Sequence, residues 1–398
     1  METAPNSQKS TRPKIGIFDP GFDFFGHWIT LNRYIAKLLG DDFEVVFLDF
    51  GGRMRSVYEG KLTLKYPIAF VDVAGVPAQS ATFSFASFFN IFWVKKRLSD
   101  LFWYQKAFRN IEKLNLDLVL INSQRGPLIY LEKPRFAYGI NSGAPTLIEA
   151  RERLKGAYLI FAPVYDFFIK RYFAFFKRAE FIFTTHEPTI PSPFPKSVWL
   201  PLALDDFKPE KTATKRKFLT VGTVSDSKNH IFAVDAFEKF HLGFPYLIAG
   251  KVLDKTGEEV QRRVENSNNP HLKGMFGNLP MDEYDGLIKE SDFMIIPYDL
   301  ARGGRNSQVL YDSFRGLTPG ITPDGEPFRM YAEKYGVVLL YAKGDENSFR
   351  ETIEKAATLS KNDFLPNFKK LYEDFSTEKI KERFLAPIRL YVDRRERL

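Results

Sequence analysis

Three short apolar runs in the second half of the chain each end in glycine or proline: Phe218 to Gly222, Tyr246 to Gly250 and Phe293 to Pro297. Lys228 lies in the turn after the first of these. Such strand ends are where an open parallel sheet receives its ligand, so the glycines and the lysine stand where a phosphate would sit. Further on, the loop LARGGRNSQ carries Arg302, Gly303, Gly304, Arg305, Asn306 and Ser307 just ahead of a helix expected from about Gln308 to Arg315. Backbone amides at a helix start favour phosphate oxygens through their open donors and the helix dipole. An ordinary glycine turn with solvated arginines is the competing reading. Near the N-terminus, GFDFFGHW places His27 in the turn after the first apolar run. An imidazole titrates near neutrality and can take a proton from a hydroxyl. Asp19 and Asp23 are rival bases, and a structural role for His27 is the alternative.

These residues need strands and helices to hold them. The first half opens on a buried-strand run from Ile15 to Phe18, followed by a helix from about Ile29 to Leu39 with Gly40 placed to end it. Further strands are expected at 43–50, 116–123, 135–143 and 179–187, and each follows a helical stretch. The second half repeats the alternation. Between them, PTIPSPFPKSVWLPLALDDFKPEK is rich in proline and shows no helix signal, so it reads as an interdomain connection with a boundary near residue 205. The expected fold class is α/β, with two doubly wound, Rossmann-like domains facing across a cleft. Residues 1–13 form a disordered tail, 14–205 an acceptor-binding domain, 206–380 a nucleotide-sugar-binding domain, and 381–398 a helix packing back on the first domain. A ligand is expected in the cleft.

Composition narrows the class. A chain of 398 residues exceeds a single ordinary core, which favours two domains. With no cysteine, disulfides, a thiolate zinc site and a cysteine nucleophile are excluded, and a reducing, cytoplasmic setting is permitted. The polar N-terminal segment METAPNSQKSTRPK lacks the apolar core of a signal peptide. No apolar run approaches the roughly 20 residues of a membrane span. The net charge of +8 favours anionic partners. Nucleic acid is not expected among them, because no nucleic-acid-binding module motif accompanies the charge.

The order of motifs in the second half resembles the glycosyltransferase B fold, and within it the glycosyltransferase family 4-like enzymes. VGTVSDSKNHIFAVDAF looks like that family's strand, glycine, basic turn and helix. NPHLKGMFGNLPMDEYDGLIKESDFMIIP is similar to its segment of strand, glycine turn, short helix and proline-ended strand. VWLPLALDDFKP resembles the interdomain stretch, keeping Pro201, Asp205, Phe207 and Pro209 while Leu202 and Ala203 replace Asn-Gly. RGLTPGITPDGEPFRMYAEKYGVVLLY resembles the final strand, turn and helix. The likeness covers residues 195 to 345 well and the first half loosely.

The resemblance implies transfer of a sugar from a nucleotide diphosphate donor without a metal or other cofactor. It makes Lys228 the phosphate-binding lysine. Thr223 stands where the family carries an arginine, and Arg302 and Arg305 are the candidates to replace it. Of two family glutamates eight positions apart, the first falls on Gly304 and the second on Asp312, whose carboxylate would hold the ribose. Retention is therefore not implied, and an exposed helical aspartate is the competing view of Asp312. Gly277 and Asn278 match the loop that meets the nucleobase. Gly26 and His27 resemble a glycine-histidine pair of several inverting transferases.

The chain holds 40 phenylalanines, and much of that excess lies in two segments of the first half. In AYLIFAPVYDFFIKRYFAFFKRAEF, Tyr165, Phe168, Ile169, Tyr172, Phe173 and Phe176 share one helical face, with Lys170, Arg171, Lys177 and Arg178 on or beside the other. In SFASFFNIFWVKKRLSDLFWYQKAFR, five aromatics precede Lys95, Lys96 and Arg97. Such mixtures suit the headgroup zone of an anionic leaflet, and core helices with snorkelling cations are the alternative. The expected partners are a nucleotide sugar and a glycan or lipid-linked acceptor, at the inner face of a membrane. A nucleotide-sugar epimerase of the same fold, or a non-catalytic binding protein on a degenerate transferase scaffold, are the other functions considered.

Overall fold

The computed structural model describes residues 12–19, 26–74, 102–122, 134–142, 166, 170, 173–184, 196–201, 203–204, 207–209, 214–298 and 308–397. The expected tail at 1–13 lies outside this set up to residue 11. The chain divides into two units. One comprises Met1–Thr185, Ser192–Leu200 and Lys381–Leu398; the other comprises His186–Pro191 and Pro201–Ile380.

The first unit is built on seven parallel strands: β1 (Lys14–Phe18), β2 (Glu44–Phe50), β3 (Ala69–Ala74), β4 (Leu118–Asn122), β5 (Tyr138–Ser142), β6 (Ile182–Thr184) and β7 (Ser197–Trp199). Their order is β3-β2-β1-β4-β5-β6-β7. Runs such as LVLIN in β4 are buried along their whole length, as strands covered on both faces must be. Helices α1 (Gly26–Leu39) and α2 (Arg53–Tyr58) follow β1 and β2. Asp49, buried at the end of β2, accepts from the amides of Met54 at 2.8 Å and Arg55 at 3.1 Å, which fixes the start of α2.

Two strands were not expected from sequence. β3 lacks a strong apolar run, and β7 sits inside the proline-rich stretch between Pro195 and Pro201. An edge strand of three residues tolerates flanking prolines, because its missing donors face outward from the ladder. Helix α1 also starts earlier than Ile29, so Gly26 and His27 belong to its first turn rather than to the preceding loop.

The aromatic surplus is partly resolved here. Phe175 and Phe176 are both buried in the core with Phe18, Phe108, Tyr138 and Ile182, and Phe175 stacks on Tyr138 with ring centroids 4.6 Å apart. Phe176, expected on a membrane-facing stripe, is instead core, because covering β4 to β6 requires a wide apolar face. Lys170, Lys177 and Arg178 are exposed. Phe168, Arg171 and Tyr172 lie outside the described residues, as does the segment around Phe85.

The second unit carries β8 (Arg216–Val221), β9 (Tyr246–Gly250), β10 (Leu272–Phe276), β11 (Ser291–Ile295), β12 (Gly320–Pro323) and β13 (Val338–Tyr341), all parallel, in the order β10-β9-β8-β11-β12-β13. Helices α3 (His230–Lys239), α4 (Lys255–Glu265), α5 (Met281–Lys289), α6 (Gln308–Arg315), α7 (Glu346–Ala357) and α8 (Leu365–Asp374) belong to it. Helix α9 (Thr377–Glu396) begins in this unit and continues in the first. There Phe384 meets Phe183 at 4.7 Å, and Lys381, Arg389 and Arg395 pair with Asp41, Asp42 and Asp117. In both sheets the strand order reverses beside the first strand, between β1 and β4 and between β8 and β11. Ligands of doubly wound sheets bind at the carboxyl ends of such strands.

Candidate functional site

At the carboxyl end of β8, Gly222 (φ 117°) and Gly250 at the end of β9 (φ 142°) adopt backbone conformations that side chains rarely take. The two strand ends also touch. A Cβ on Gly250 would lie 1.6 Å from the Gly222 carbonyl oxygen. The pairing continues past the strands, with the Val224 amide donating to Lys251 O at 2.8 Å. Asp254 then holds two elements together. Its Oδ1 accepts from the Gly257 amide at 2.9 Å, capping α4, and its Oδ2 accepts from the Asp226 amide at 3.0 Å. The turn bearing Lys228 is thereby tied to the neighbouring helix.

Asn229 takes a left-handed conformation (φ 51°) and starts α3 without a side-chain cap. The first turn of α3 holds no acidic residue either, and although the Phe232 amide donates to Asn229 O at 3.2 Å, the dipole at this helix start favours an anion. Beside them, the Lys228 ammonium lies 3.7 Å from the centroid of Tyr298, a residue just past β11. Ring and cation attract, which places the charge at the point where the strand order reverses. Among the described residues Lys228 makes no ion pair. His230, 2 % exposed, is pushed down to about 3 by burial and then by the neighbouring Lys228 charge, so its imidazole is neutral at physiological pH. Its Nδ1 has no hydrogen-bond partner.

The other expected donor-site residues divide. Thr223 is exposed in the same turn, and Gly277 (φ 152°) and Asn278 are exposed past the end of β10. Asp312 on α6 is not an open carboxylate. Its Oδ2 accepts from the Tyr284 hydroxyl at 3.0 Å, and its Oδ1 accepts from Gln308 Nε2 at 2.9 Å and from Arg315 at 3.3 Å. Burial, and next the Asp312 charge, push the Tyr284 hydroxyl well above its usual range. Arg302, Gly303, Gly304, Arg305, Asn306 and Ser307 lie outside the described residues.

In the first unit, Asp19 follows β1 and is fully buried, where it accepts from Asn32 Nδ2 at 2.5 Å. Asn32 in turn accepts from Asn122 Nδ2 at 2.6 Å. A carboxylate enclosed in this way positions its neighbours rather than meeting bulk solvent as a base. His27 is placed by the backbone of α1, and Asp23 lies outside the described residues. Asn32, Asn122, Asp254, Tyr284 and Tyr298 were all missed from sequence. Two of these contacts had a local signal, the Gln308–Asp312 spacing of four on one helix and Asp254 at the N-cap position of α4. Among the described residues, no cluster of three His, Asp or Glu side chains suited to a metal ion occurs, and no helix is long and apolar enough to cross a membrane.

No protein-family model matches the chain, and comparison with curated proteins gave no match. Solved structures do match. A sucrose-phosphate synthase from Thermosynechococcus elongatus aligns with a TM-score of 0.63 at 13% identity, over 95% of this chain and 99% of that one. HepE from Anabaena, in complex with UDP and glucose, aligns at 0.62 and 12%, over 95% and 99%. WaaG, a glycosyltransferase involved in lipopolysaccharide biosynthesis, aligns at 0.55 and 14%, over 93% and 98%. With two parallel-sheet units of seven and six strands, the chain has the glycosyltransferase B fold.

Proposed function

We propose that the protein is a glycosyltransferase that takes a nucleotide sugar in its second unit and an acceptor hydroxyl in its first. The observation that carries this reading is Lys228. It is a cation without a carboxylate partner among the described residues, held on Tyr298 beside an uncapped helix start, at the strand reversal of the second sheet. A nucleoside diphosphate is the ligand that matches a cation next to open backbone amides. When the acceptor oxygen bonds to the anomeric carbon, the bond to the diphosphate oxygen breaks and negative charge collects there. Lys228 and the α3 amides stand ready to stabilise it. The acceptor proton goes to a base, for which His27 in the first turn of α1 is the candidate.

HepE, of the same fold, holds UDP and glucose in its structure, so UDP and UDP-glucose are the probes of choice here. By titration calorimetry the wild-type protein binds UDP, and Lys228→Ala weakens it by roughly 10- to 100-fold, the worth of one charge-assisted bond. Equal affinity in the variant, or no affinity of the wild type for any nucleoside diphosphate, defeats the assignment. A binding protein without transferase activity is the second reading, and Thr223 and Gly304, standing where the resembled family has an arginine and a glutamate, favour it. Release of free sugar from a bound nucleotide sugar separates the two.

A further inference from the structure

The helix over residues 102–111 presents two faces of opposite character. Tyr104, Ala107, Phe108 and Ile111 lie on one side, buried in the core that covers the first sheet. Phe102, Lys106 and Arg109 lie on the other, spaced by four and three residues, and Lys113 follows in the 3-10 turn Glu112–Leu114. All four are exposed. Such spacing sets side chains in one stripe along a helix. Glu112, the carboxylate beside the stripe, accepts from the Arg135 amide at 2.9 Å. Among the described side chains Phe102 is the one exposed aromatic, at 65 %, in a chain that otherwise hides its rings.

A second helical stretch, 173–178, covers the same face of the sheet. Phe175 and Phe176 join the core that holds Tyr104 and Phe108. A run of ring contacts links the two stretches: Phe108 to Phe136 at 5.3 Å between centroids, Phe136 to Tyr138 at 6.1 Å, and Tyr138 to Phe175 at 4.6 Å. Lys177 and Arg178 are exposed, as is Lys170 ahead of them. Two helices that bury one face each against the same side of a sheet turn their other faces the same way. One side of the first unit therefore carries a bare ring among lysines and arginines.

We propose that this side of the first unit docks on an anionic lipid surface, with the Phe102 ring entering the headgroup boundary and the surrounding cations meeting lipid phosphates. That boundary matches the mixture, because a layer of negative charge lies directly over an apolar one. A soluble polyanion offers the charge alone and leaves the ring in water. No described helix is long and apolar enough to cross a membrane, so the contact is one of lying on the surface. The docking face also differs from the stripe that periodicity suggests at 165–176, since Phe176 is core. It stands independently of the donor site.

The chain has no cysteine, so one introduced thiol carries a label without ambiguity. Full-length Phe102→Cys, and Met281→Cys at a position 70 % exposed in the second unit, are labelled with nitrobenzoxadiazole. Vesicles of phosphatidylcholine mixed with phosphatidylglycerol should shift the emission at 102 to the blue and leave that at 281 unchanged, and phosphatidylcholine alone should shift neither. Sedimentation of unlabelled protein with the mixed vesicles should weaken about 100-fold on changing Lys106→Gln, Arg109→Gln and Lys113→Gln together, at about 5-fold for each cation near such a surface, and should weaken with salt. Phe102→Ser should weaken it about 10-fold. Circular dichroism and UDP affinity of these variants should match the wild type, which separates lost docking from misfolding. The proposal fails if the wild type does not sediment with the mixed vesicles, if the triple variant binds as the wild type does, or if the label at 281 shifts in place of that at 102. An equal blue shift at 102 with RNA or heparin and no lipid would make this a polyanion surface and overturn the lipid assignment.

Discussion

The two sheets share one topology and end in opposite chemistry. In each, the order reverses beside the first strand, and in each the carboxyl ends at that reversal carry the polar groups. The first sheet ends in three buried side chains, Asp19, Asn32 and Asn122, with a carboxylate at their base. The second ends in glycines with positive φ, an uncapped helix and Lys228. Glycine lets backbone amides come close to a ligand, and lysine supplies the charge, so the second end fits a phosphate. Side-chain amides supply neutral donors and acceptors at fixed angles, which suits hydroxyl groups. Topology therefore sets where both polar clusters lie, and residue type decides the chemistry of each.

The contrast breaks most visibly at Gly250. An alanine there would set its Cβ 1.6 Å from a backbone oxygen, with φ at 142°, and neither atom belongs to a flexible side chain. Gly250→Ala is expected to cost about 4 kcal/mol and to lower the melting temperature of the second unit on the order of 10 °C. Differential scanning calorimetry checks it. An unchanged melting temperature would mean that the β8 and β9 ends do not approach each other closely.

Several features that depend on neighbours in sequence were legible. Tyr246 to Gly250 and Gln308 to Arg315 are the observed bounds of β9 and α6, because β-rich apolar runs and glycine or cap signals are local. The Lys228 turn was legible for the same reason. Features made by distant residues were not. Asn122 and Asn32 are 90 positions apart, and Tyr284 and Asp312 are 28 apart, so nothing local marks either pair. The aromatic stripe misled in part, since periodicity reveals an apolar face without saying what covers it, and Phe176 is covered by core.

A smaller effect is expected at the first sheet's end. Asn32→Leu keeps the volume but removes the links to Asn122, Asp19 and the Tyr58 hydroxyl, leaving Asn122 Nδ2 without its acceptor and Asp19 without the amide donor it now has. The expected cost is about 3 kcal/mol, from two buried groups that lose a partner. Urea unfolding of the first unit measures it. UDP affinity in the second unit should not change, which separates a local loss from general misfolding. If the variant is as stable as the wild type, the polar chain does not hold β1, β4 and α1 together.

The smallest effect concerns pH and falls on the second end through His230. Its folded value of about 3 lies below the ordinary 6.5, first because of burial and next because of Lys228. Between these values the unfolded chain takes up a proton that the folded chain refuses, so stability falls as pH drops from about 6.5 toward 3. At pH 5.5 the loss relative to pH 8 is roughly 1 kcal/mol from this residue. Urea midpoints at pH 8, 6.5 and 5.5 should fall in that order, and His230→Leu should flatten the slope in the second unit. An equal slope in the variant would show that the imidazole takes up its proton as readily in the fold as in the unfolded chain. Its neutrality also bears on binding: throughout the physiological range, the charge that this turn offers an anion comes from Lys228 rather than from His230.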